Sequence, residues 1–72
     1  MFVKAIEPSG GSPLYFRVNF APQEGHEYVF MWPDGTRKTM AVALLDSRPD
    51  SGDVPLATFD VASHEVIVHP NR

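Results

Sequence analysis

Trp32-Pro33-Asp34-Gly35-Thr36, set between the apolar runs 28–32 and 40–45, constrains the fold of this chain more than any other stretch. Proline pre-sets φ at the second position of a type I turn, aspartate suits the third, and glycine takes the left-handed position that follows. A type I turn closed by a glycine bulge joins two antiparallel strands. The pattern therefore predicts a β-hairpin across residues 28–45.

Other turn-rich clusters recur at short intervals, at 7–13, 21–25, 47–53 and, without glycine or proline, 60–63. The segments between them are rich in Val, Ile, Phe, Tyr and Thr, and short strands broken in this way read as all-β. The expectation is one domain spanning 1–72, a small antiparallel barrel or a curved meander sheet of five to six strands.

In Leu14-Tyr15-Phe16-Arg17-Val18-Asn19-Phe20 the residues Leu14, Phe16, Val18 and Phe20 share one face, the period of two of a half-buried strand. Glu65–His69 is a β-branched strand expected to pair with 56–59 across the last turn. Phe2–Ile6 is ambiguous in phase, because exposing Lys4 also exposes Phe2 and Ile6. Residues 37–45 admit two readings. As a helix they would align Met40, Ala41, Leu44 and Leu45, but Arg37 and Lys38 would oppose the dipole in its first turn. The preceding Asp-Gly turn favours a returning strand, which leaves room for one short helix within 37–47.

A chain of 72 residues buries only about 60% of the surface its unfolded form exposes. It has no cysteine, so neither a disulfide nor a thiolate metal site supports it. A well-packed core or self-association must do so instead. With nine acids against six bases, the net charge is −3. That balance argues against a sequence-independent nucleic-acid binder and a polybasic membrane segment. The first seven residues carry acid and base too early for a signal-peptide core, and no run approaches transmembrane length. These features lead to the expectation of a soluble cytoplasmic protein.

The hairpin carries the one hint of function. Tyr28, Phe30 and Trp32 share a face, with Val29 and Met31 opposite; Met40, Val42 and Leu44 alternate with Ala41, Ala43 and Leu45. Neither strand has a polar face over its middle, the mark of burial on both sides. So small a chain scarcely supplies a layer on each side of its own sheet. Val29, Met31, Ala41, Ala43 and Leu45 are then either ordinary core or a face covered by another chain, and they form the candidate partner-binding set.

The expected function is a non-enzymatic protein-interaction module: an oligomeric subunit, adaptor or inhibitor of the accessory kind common in bacteria and their phages. It would act through that face or through a strand edge. Its partner would be a second copy or a protein target. The competing class is a nucleic-acid-binding small barrel using Tyr15, Arg17, Arg37 and Lys38.

No constellation carries chemistry. His26, His64 and His69 lack a ligand spacing, and 64 and 69 point to opposite faces of one regular strand. Asp46, Asp50 and Asp53 do not match a calcium hand and suit a turn-forming loop. Ser63-His64 adjacency is not triad geometry, and Gly10-Gly11 lacks the helix and lysine of a phosphate loop. No catalytic residue, metal or cofactor is expected.

Overall fold

Three hairpins account for all the strands of the computed structural model, which describes residues 1–70. The first joins β1 (Phe2–Ile6) to β2 (Leu14–Val18), the second β3 (Glu27–Met31) to β4 (Arg37–Leu45), the third β5 (Leu56–Asp60) to β6 (Glu65–His69). The second has the turn read from the sequence. Gly35 N–H donates to the Trp32 carbonyl at 2.9 Å and Trp32 N–H to the Thr36 carbonyl at 2.8 Å. Gly35 sits at φ +92°, where an L side chain is strained. The third loop is built by Asp60. Its carboxylate accepts the Ser63 hydroxyl at 2.8 Å and Ala62 N–H at 3.3 Å, while its carbonyl accepts His64 N–H at 2.7 Å.

The strands close into a six-stranded barrel in the order β1-β2-β5-β6-β3-β4, with β4 returning antiparallel to β1. The third hairpin is inserted between β2 and β3, and both joins it makes, β2 with β5 and β3 with β6, are parallel. This corrects the antiparallel expectation to a mixed sheet, and the order is not a meander. Alternation of side chains reports which face a residue occupies but not which way the neighbouring strand runs. Direction is set by the connection 46–55. Fully extended, it spans up to roughly 33 Å, enough to climb past a five-residue strand of about 17 Å and start β5 at the far end.

No helix occurs among the described residues. Residues 37–45 form one continuous nine-residue strand, so the helix allowed for within 37–47 is absent. β4 is held on both sides, by β3 and by β1, and this tertiary pairing overrides the helix propensity of alanine and leucine.

Closure gives the barrel one interior. Val3, Ala5, Phe16, Val18, Phe30, Met40, Val42, Ala57, Val66 and Val68 fill it, each at most 4% exposed. The phase of β1 is thereby settled, with Val3 and Ala5 inward and Phe2, Lys4 and Ile6 outward. Phe16 stacks on Phe30 at 5.1 Å and meets Trp32 edge-on at 6.2 Å. The opposite end is filled by Phe20, Tyr28 and Phe59, their ring centroids 5.4–6.3 Å apart. Phe20 lies past the end of β2 yet still packs against the core.

Candidate docking faces and the open seam

A closed barrel explains the surplus of apolar strand surface: inward residues fill the core, and outward ones form a wall one layer thick. Val29, Met31, Ala41, Ala43 and Leu45 all lie on that wall and all are half-buried. Register divides them into two groups. Val29 faces Thr39 on β4 and Glu65 on β6, while Met31 faces Arg37 and Ile67. The Arg37 Nε donates to Glu65 Oε2 at 3.0 Å, so an exposed ion pair borders this small group.

Ala41, Ala43 and Leu45 instead face β1, opposite Ile6, Lys4 and Phe2. The register continues onto β2, where Lys4 faces Tyr15 and Phe2 faces Arg17. The wall over β4 and β1 is thus an apolar stripe of Ala41, Ala43, Leu45, Phe2 and Ile6, with the Arg48 guanidinium 5.9 Å from the Phe2 ring. Its β3 side is acidic. Glu27 stands opposite Ala41, and Glu24 Oε1 accepts Leu44 N–H at 2.7 Å. Lys4 lies within the stripe, opposite Ala43 and between Phe2 and Ile6, and Arg17 stands on its β2 side, opposite Phe2. Phe2 and Ile6 were missing from the sequence-derived set because nothing in the sequence pairs β1 with β4.

Tyr15, Arg17, Arg37 and Lys38 fall in three settings. Tyr15 and Arg17 lie outward on β2, Arg37 is bonded to Glu65, and the Lys38 ammonium rests 5.8 Å from the Trp32 ring. The histidines also separate: His26 lies against Tyr28 at 4.7 Å, His64 against Phe59 at 6.1 Å, and His69 Nε2 is 2.9 Å from Thr58 Oγ1.

A second feature lies where β2 meets β5. Val18 N–H donates to the Met1 carbonyl at 2.8 Å. Residues 14, 16 and 18 therefore turn their backbone groups toward β1, and Tyr15 and Arg17 turn theirs toward β5. Arg17 N–H reaches the Pro55 carbonyl at 2.9 Å, and pairing stops at Arg17↔Leu56. One further step of a parallel ladder would need the N–H of residue 55 to reach the Tyr15 carbonyl. Residue 55 is proline and has none. The sheet opens there into a cavity of about 340 Å³, lined among others by Tyr15, Phe16, Trp32, Asp53, Pro55 and Val68. Proline just before a strand was the signal available in the sequence.

The backbone N–H of Thr36, donating to Asp34 Oδ1 at 2.9 Å, holds Asp34 below its ordinary value of 3.8. Among the described residues no cluster of three His, Asp or Glu is placed to hold a metal ion, and no helix is long and apolar enough to cross a membrane. Compared with protein families, with curated proteins and with solved structures, the chain matches none.

Proposed function

We propose that this chain is a non-enzymatic protein-interaction module that associates with a second copy of itself through the outer wall of β4 and β1. One observation carries the reading: the apolar stripe of Ala41, Ala43, Leu45, Phe2 and Ile6, with Lys4 set among its members, runs between an acidic flank, Glu24 and Glu27, and Arg17 on the β2 side. A two-fold axis through such a stripe sets each flank against its opposite, the self-complementarity that a symmetric dimer requires. The alanines permit close approach of the two walls. Barrel closure favours this face over strand-edge pairing as the larger surface, since most strand edges are already occupied. The expected cytoplasmic setting accompanies this reading.

Light scattering on a sizing column tests it. The wild type is expected as a dimer whose affinity falls with salt, because the flanks are exposed and screened. Leu45→Asp should give a folded monomer, whereas Met31→Asp, beside Arg37 and away from the stripe, should remain dimeric. A folded wild type that is monomeric at high concentration would sink the proposal. Salt-dependent binding of single-stranded oligonucleotides at Tyr15, Arg17 and Lys4 would transfer this wall to the nucleic-acid reading.

A further inference from the structure

The cations of this chain are unevenly placed. Its net charge is −3, yet three of the five lysines and arginines in residues 1–70, Lys4, Arg17 and Arg48, gather about one aromatic ring. Arg17 is the β2 partner of Phe2, Lys4 stands two residues along the same outward face of β1, and the Arg48 guanidinium lies 5.9 Å from the Phe2 ring. Among the described residues none of the three is bonded to an acid, Asp46 beside Leu45 included, whereas Arg37 is paired with Glu65 and Lys38 rests on Trp32. Apolar side chains interleave with them. The outward register runs Leu45, Phe2, Arg17, Leu56 across four adjacent strands, with about 4.8 Å between neighbours. Tyr15 stands beside Lys4 in the next row.

Unpaired like charges held this close repel one another, and a bound anion offsets the repulsion. We infer that this patch is a binding site for an acidic segment of a partner protein, one in which carboxylates and apolar side chains lie together. Arg17 and Arg48 take carboxylates through their planar forks, and Lys4 takes one as a point charge. Phe2 and Leu56 receive the apolar groups. Two features favour a protein segment over a nucleic acid. A phosphodiester backbone offers nothing aliphatic to Leu45 and Leu56. A chain of net charge −3 also repels a long polyanion, while the local patch still attracts a short acidic stretch within a Debye length of about 8 Å.

Phe2 and Lys4 also lie in the stripe of the self-association wall, so an acidic segment and a second copy compete for them. The competition rests on the self-association reading; the binding does not.

The probe is an acetylated, amidated hexapeptide, two leucines flanked on each side by two glutamates, titrated into the isotope-labelled full chain. Shifts should centre on Phe2, Lys4, Arg17 and Arg48 and spare Val29, Met31 and Lys38. Exchanging the glutamates for glutamines should weaken binding about tenfold, and the leucines for serines about threefold. Arg17→Gln and Arg48→Gln should each weaken it about threefold and together about tenfold. Both variants should stay folded, because both side chains are exposed. Lys38→Gln should leave the affinity unchanged.

Light scattering reads the competition, with saturating peptide expected to turn the wild-type dimer into monomer. Equal affinity for the glutamine peptide, or no shifts at about 1 mM probe, would overturn the inference. So would displacement of the peptide from these residues by a single-stranded oligonucleotide. A wild type that is monomeric alone yet binds the peptide here sinks the self-association reading and upholds the site; a dimer that ignores the peptide does the reverse.

Discussion

Two of the barrel's three junctions between hairpins contrast. β4 and β1 meet antiparallel over five register pairs, from Phe2↔Leu45 to Ile6↔Ala41. β2 and β5 meet parallel over two, Arg17↔Leu56 and Val18↔Ala57. In the first, inward Ala5 and Val42 face each other inside a sealed core. In the second, proline ends the ladder, and Leu14 at the top of β2 remains 36% exposed. The same alternating sequence pattern therefore gives a closed wall where both strands can donate and accept throughout. Where one residue cannot donate, it gives a cavity.

Side-chain truncation should expose this difference most strongly. Val42→Ala removes methyl groups from a site only 2% exposed and should cost about 2 kcal/mol. That is a large share of the roughly 4–10 kcal/mol expected of a chain this small. Leu14→Ala deletes more atoms, but at the open junction, where neighbours and water already share the side chain. It should cost under about 1 kcal/mol. Urea denaturation of the two variants checks the ordering, and equal losses would mean that the junctions are packed alike.

The contrast was only half legible in the sequence. Turn chemistry at Pro33-Asp34-Gly35 placed the β3–β4 hairpin, and the alternation in 14–18 gave the inward face of β2, because these depend on local dihedrals and on a period of two. The order of the hairpins around the barrel was not legible. It depends on where the connection 46–55 delivers β5, a long-range choice that leaves no periodic mark. For the same reason Val29 and Met31 were grouped with Ala41, Ala43 and Leu45: shared outward phase is visible in a sequence, but register between β1 and β4 is not. The seam followed from one residue, Pro55, whose meaning emerged only once β2 was its neighbour.

Pro55→Ala should narrow the difference between the junctions with little change in stability. Completing a hydrogen bond to the Tyr15 carbonyl gains about 1 kcal/mol, and loss of proline's restraint on the unfolded chain offsets about 0.4–1 kcal/mol of it. Thermal or urea unfolding should therefore move little, while amide exchange at residues 15 and 55 slows. A large destabilisation would show instead that the proline ring is needed to turn the connection into β5.

Acid separates the junctions by a smaller effect. The turn at 33–35 sets the register of β4 against β3, and β4 in turn carries the five-pair contact with β1; β2 and β5 belong to the other hairpins. Asp34 holds that turn by accepting Thr36 N–H, and the same bond lowers its folded pKa beneath 3.8. A carboxylate with a depressed folded pKa contributes stability above its unfolded value, and that contribution is lost as pH falls through the folded one. The wild type should thus lose this part of its stability below about pH 4. Asn at 34 keeps an acceptor oxygen but cannot titrate, so Asp34→Asn should flatten the acid limb of the stability curve while leaving the fold intact. With exchange followed residue by residue, the flattening should be felt along β4 and β1 and not at Arg17. An acid limb identical in both proteins would mean that the Asp34–Thr36 bond does not hold the register of the closed junction.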